Sequence, residues 1–171
     1  MAKWLTIAAV VGSMTACGGD GGPTAPTAPA NIAGSYGTTI TAASSCSANL
    51  PNETRTLEFF SNITQTGAAV QVQMIAHVPG VPEISFSGTV SGQTVTFPNF
   101  TFTPEMGRGA QLTASGNANV ASNGLSITGT LNGNMQTSSG ATCNAANHQL
   151  QLIKLCSQPT PNGTALLPCQ Q

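Results

Sequence analysis

From residue 32 onward, apolar and polar positions alternate in short runs. Val70, Val72, Met74 and Ala76 fall on one parity, with Gln71 and Gln73 between them. Ile84, Phe86, Gly88 and Val90 do the same. The longest row is Leu125, Ile127, Gly129, Leu131, Gly133 and Met135, opposed by Ser126, Thr128, Thr130, Asn132 and Asn134. A period of two sends successive side chains to opposite faces, so each run predicts a strand with one buried and one solvated face. No stretch after residue 17 carries the roughly 3.6-residue period of an amphipathic helix.

The pattern predicts eight strands, over 34–42, 54–64, 69–77, 83–90, 94–103, 110–120, 125–135 and 148–155. Three hairpins join neighbours across residues 65–68, 91–93 and 121–124. Asn123-Gly124 is the strongest turn signal, because both residue types tolerate positive φ. Consecutive hairpins favour a meander, and eight strands suffice to close one into a small barrel. The expected fold class is therefore all-β: an eight-stranded antiparallel up-and-down barrel over residues 32–156. A β-sandwich is the alternative. An immunoglobulin-like sandwich, however, expects long crossovers and a buried Trp, and the chain's one Trp, Trp4, lies far outside the strand region.

The five cysteines test this plan. Cys46 follows the first strand and Cys143 precedes the expected last one. In a closed up-and-down barrel those strands are antiparallel neighbours, so a Cys46–Cys143 bridge would clamp the closing seam. Cys156 and Cys169 would then staple a tail, residues 157–171, back to the barrel. Four cysteines allow three pairings. The other two would join opposite ends of the barrel, roughly 30 Å apart along the last strand, which exceeds disulfide reach.

That leaves Cys17, which follows an apolar segment, MAKWLTIAAVVGSMTA, at residues 1–16. Lys3 supplies a positive start, Trp4 to Met14 a short apolar core, and Thr15 and Ala16 the small residues a signal peptidase needs. The segment is too short to remain as a membrane span. Met14-Thr15-Ala16-Cys17 resembles the lipobox of bacterial lipoproteins. The resemblance implies cleavage before Cys17, fatty acylation such as palmitate on that cysteine, and a membrane anchor. Two or three acyl chains anchor stably where one does not. Gly18 stands where the resemblance would place an Asp for inner-membrane retention, so it implies a cell outer membrane lipoprotein in a two-membrane host, facing the periplasm or the surface. Residues 18–30, GGDGGPTAPTAPA, cannot form a helix or packed strand, because Gly is costly to order and Pro removes donors. With Cys17 and Asn31 they make a tether over 17–31, of which residues 18–30 reach about 40 Å when stretched.

Composition narrows the function. Only 5% of residues are charged, against about 25% ordinarily, and the net charge is −1. That leaves no electrostatic footprint for nucleic acid. The one Asp, Asp20, falls in the tether, so the folded region has no Ser-His-Asp set. His77 and His148 are two isolated histidines, too few for a metal site; the first is expected at a rim and the second at an exposed strand position. No catalytic residue set and no cofactor site emerges, and the expectation is a protein that is not an enzyme.

The strand plan over 32–156 resembles the lipocalin or calycin class. Asn31-Ile32-Ala33-Gly34-Ser35-Tyr36 is similar to the segment where lipocalins carry Gly-x-Trp at the start of their first strand, with Tyr36 in place of the Trp. The resemblance implies a late basic residue over that ring, and Lys154 is the candidate. One further pattern points to binding. Ala114, Gly116, Ala118, Gly129 and Gly133 make a wall of small residues, faced by Phe59, Val72, Met74, Phe86 and Phe97. Such a contrast can leave an apolar cavity, or let the barrel flatten and fill. Two functions are expected from this: a membrane-anchored, secreted binding module for a small apolar ligand, or a non-catalytic structural or interaction protein of the cell envelope with a fully packed barrel. Phe59 and Phe60 are adjacent, so one of them must face outward.

Overall fold

The alternating rows become eight strands in the computed structural model, which describes residues 27–76, 83–102, 110–156 and 168–169. The strands are β1 (Gly34–Thr41), β2 (Thr56–Thr66), β3 (Ala69–Ala76), β4 (Ile84–Ser91), β5 (Thr94–Phe102), β6 (Ala110–Val120), β7 (Ser126–Thr137) and β8 (Thr142–Lys154). Each pairs antiparallel with its neighbour in sequence, and β1 pairs with β8, closing an up-and-down barrel. Closure removes the free sheet edges on which other chains could add. Inward positions carry the core, with Tyr36, Phe59, Leu112, Leu131 and Met135 all at or below 5% exposure.

Turn chemistry sets the register. Gly124 adopts φ 70° after Asn123 between β6 and β7, and Gly140 adopts φ 86° between β7 and β8. A residue with a Cβ adopts that left-handed conformation at a cost. The second turn is tight: the Thr137 and Ala141 backbones bond at 2.8 Å. β8 therefore starts at Thr142 rather than near His148. The polar run Asn144–Asn147 conceals this start in the sequence.

Two bulges reverse parity, each by opposing two residues to one. In β5 the register slips between Phe97 and Phe100, so Pro98 and Asn99 both face solvent and Phe97, Phe100 and Phe102 all face inward. In β8 the slip opposes Ala146 and Asn147 to Asn132, so Cys143 and His148 both face inward. Phe60 takes the outer face of β2, opposite Ile75, while Phe59 enters the core.

Both barrel ends carry a cover. At the end where β1 begins, Ile32 is fully buried; its N–H donates to Gln65 Oε1 at 2.8 Å, and Gln65 Nε2 donates to the Ala30 carbonyl at 2.9 Å. At the other end, two 3-10 turns, Ser44–Ala48 and Asn52–Thr54, fold between β1 and β2. Cys46 in the first turn is fully buried and bonded to Cys143 with Cα atoms 5.5 Å apart. Arg55 donates from Nε to the Leu50 carbonyl at 2.7 Å and from Nη2 to the Ser47 carbonyl. The bridge thus forms between the expected partners but does a different job. Cys143 lies inside β8 opposite Met135, past the Thr41–Gln149 end of the β1–β8 ladder. It fastens the end cover rather than the closing seam. Cys156 bonds to Cys169, and the Cys169 N–H donates to the Lys154 carbonyl at 3.1 Å beside a Leu155–Pro168 bridge.

Candidate functional site: the barrel interior

The interior holds a small apolar cavity of about 20 Å³. Its walls are Ile40, Val72, Met74, Leu150 and Leu152, with the rings of Phe86, Phe97 and Phe100 on one side. Thr38 and Ser61 complete the lining. Their hydroxyls bond to each other at 2.7 Å, both side chains being almost fully buried. The volume is that of about one water position. A larger hollow of about 200 Å³ lies open on the surface beside Thr64, Thr66, Gln71 and Ser87, which offer hydroxyl and amide groups but no charge.

Of the residues expected to line a ligand site, Val72, Met74, Phe86 and Phe97 meet at this cavity. Phe59 packs instead edge-on against Phe102 with ring centroids 4.4 Å apart. The three glycines stand elsewhere, against the backbone of the facing strand. A Cβ on Gly129 would lie 2.4 Å from Ala118 Cα, one on Gly133 2.1 Å from the Thr113 carbonyl, and one on Gly116 2.1 Å from the Thr130 carbonyl. The small wall is therefore a tightly coiled β6–β7 ribbon, and the room its missing side chains leave is taken by its own backbone.

His148 is fully buried, not exposed. Its Nδ1 accepts the Ala43 N–H at 3.1 Å, and Nε2 lies 3.1 Å from the Gly133 carbonyl. Because the Ala43 amide can only donate, Nδ1 is the acceptor and the proton stands on Nε2, which donates to Gly133. The ring ties β8 to β7 and to the end cover, and both of its nitrogens are used. The signal was available: His148 shares parity with Leu150 and Leu152. His77 lies outside the described residues.

Tyr36 and Lys154 meet as the resemblance implied, with Nζ 5.8 Å from the ring centroid. The phenol donates to the Ile32 carbonyl at 2.8 Å. Burial disfavours the phenolate and pushes the pKa from 10.0 up to about 12. The folded barrel therefore holds this proton more tightly than the unfolded chain. Its contribution to stability is complete below pH 10 and is lost as pH rises from 10 to about 12. Tyr36 is the chain's one tyrosine, so phenolate absorbance reads it alone. We expect phenolate to appear near pH 12, together with loss of the strand circular-dichroism signal, and near pH 10 in denaturant. Ionisation near pH 10 with strands intact would show that the phenol is not buried.

The chain matches no known protein family and no curated protein. Among solved structures it is similar to a redesigned β-barrel at 13% identity, with 72% of this chain and 90% of that one covered and a TM-score of 0.40.

Proposed function

We propose that this chain is an extracytoplasmic barrel held to a membrane by lipid on Cys17, working without catalysis as a structural or interaction protein of the cell envelope. The supporting observation is the filled interior. A space of about 20 Å³ beneath two covered ends compares with roughly 300–1,000 Å³ for ligand pockets, so the resting barrel acts through its outer surface. The resemblance of Met14–Cys17 to a lipobox supports the anchor. The two disulfides are compatible with an oxidising compartment. The lipocalin-like plan, with Tyr36 under Lys154, serves here as a scaffold.

The second reading, a binding module for a small apolar ligand, is favoured by the purely apolar walls around the Thr38–Ser61 pair. Native mass spectrometry of the full chain extracted from its membrane separates the two. A bare protein mass, apart from the anchor, supports the filled scaffold; a reproducible noncovalent adduct of lipid size overturns it in favour of the second. Replacing Cys17→Ser tests the anchor: the protein is expected to leave the membrane fraction with its circular dichroism unchanged. Persistence in the membrane fraction sinks the lipid reading.

A further inference from the structure

The barrel wall is unequally knit. β6 and β7 pair from Ala110–Thr137 to Val120–Ile127, and β2 and β3 from Phe59–Ala76 to Thr66–Ala69. β4 and β5 pair only at Thr89–Thr96, Val90–Val95 and Ser91–Thr94. Beyond those pairs β4 stays laddered to β3 down to Ile84, and β5 stays laddered to β6 as far as Phe102. Each strand is thus held on one side only over this stretch. Backbone pairing is what keeps neighbouring strands together, and the β4–β5 ladder is the shortest among the described residues.

Aromatic rings close the gap. Phe86 of β4 stacks on Phe100 of β5, with centroids 4.3 Å apart and planes 10° from parallel, and meets Phe97 edge-on at 5.8 Å. Phe97 and Phe100 are at 3% and 7% exposure, while Phe86 is only partly buried. Gly88 stands where the strands begin to separate. A Cβ there would lie 3.1 Å from the Phe97 ring and 2.9 Å from the Thr96 carbonyl, so its absence lets that ring fit beside the strand. The Pro98–Asn99 bulge places Phe97 and Phe100 on the same inner side. All three rings line the apolar cavity, and so do Thr38 and Ser61. These two hydroxyls share one hydrogen bond. The cavity surface itself is wholly apolar, so neither hydroxyl oxygen is presented to it.

We infer that the β4–β5 seam is the entrance and binding site for a flat, uncharged apolar molecule. The guest displaces the partly buried Phe86 ring and stacks on Phe100 in its place. This assignment rests on the ligand-binding reading above and gives it a position in the wall. Flatness follows from the stacked geometry that the guest takes over. Neutrality follows from the cavity's wholly apolar walls, because an unpaired charge there would lose its hydration.

Nile red, a planar and largely apolar dye with a carbonyl oxygen, is the probe, titrated into the full oxidised chain and read by its emission. Saturable binding is expected. Phe86→Ala removes the competing ring and is expected to tighten binding about tenfold, whereas Phe100→Leu removes the stacking partner and is expected to weaken it about fivefold. Phe86→Leu keeps most of the apolar volume and serves if the alanine variant fails to fold; it is expected to tighten binding to a smaller degree. Saturable binding that responds to neither position overturns the seam assignment while leaving ligand binding elsewhere on the barrel. No saturable binding by either the native chain or a folded Phe86 variant overturns both the seam and the ligand-binding reading.

Discussion

Replacing Cys46 and Cys143 together by alanine is expected to lower the free energy of unfolding by about 4–5 kcal/mol. The bridge spans a sequence separation of 97 residues, and a loop of that length carries about 4.7 kcal/mol in the chain-entropy account. The folded side adds to the loss. Cys46 is fully buried and Cys143 nearly so, and the turn that carries Cys46 covers the barrel end. The Cys156–Cys169 bridge spans a separation of only 13. Its loop lies beyond β8, so its closure constrains the tail rather than the eight-strand ladder. In the same account a loop of about 15 residues carries about 3 kcal/mol, so the corresponding double alanine variant should lose less than the first. Urea unfolding of the two variants beside the native protein measures both. Equal losses, or a larger loss from the tail bridge, would show that the end cover contributes little.

The second large effect is expected at Gly129. Adding one methyl group by Gly129→Ala puts a carbon 2.2 Å from the Asn117 carbonyl and 2.4 Å from Ala118 Cα. Overpacking ordinarily costs about 1–3 kcal/mol because side chains can yield. Here the opposing atoms are backbone, fixed in a β6–β7 ladder that runs the full length of both strands. We expect a cost of about 3 kcal/mol or more, and a thermal midpoint lower by roughly 10 °C. Thr128→Ala, on the outer face of the same strand, should stay within about 0.5 kcal/mol. A thermal melt of both variants checks the pair. A mild Gly129→Ala would mean that β6 and β7 are less tightly coiled than the geometry requires.

These two sites mark the limit of what pattern reading reaches. Parity alone located the strands, because the alternation in 70–76, 84–90 and 125–135 has one physical reading. Asn123-Gly124 located a turn, and the glycines were recognisable as a wall without side chains. Whether that wall bordered open space or its own backbone was not legible, since the answer depends on how sharply two strands coil around each other. The Cys46–Cys143 pairing followed from strand order, but its role did not, because the start of β8 was hidden by Asn144–Asn147. His148 was misread for a related reason. A polar residue in a polar run passes for a solvated one until the bulge at Ala146–Asn147 and the parity of Leu150 and Leu152 turn it inward.

The sequence by itself determined an all-β meander long enough to close, its cysteine pairs, and an N-terminus that resembles a lipoprotein leader. All of these follow from local periodicity, spacing and short-range composition. The tertiary structure alone decided what the barrel holds and where its wall is weak. The parity reversal at Pro98–Asn99 sends Phe97 and Phe100 to the same inner side, the β4–β5 ladder stops after Thr89–Thr96, and Phe86 stacks across the gap that remains. Residues far apart in the chain fill one small space. The volume left over depends on register and on the curvature of the closed sheet, neither of which any single segment encodes.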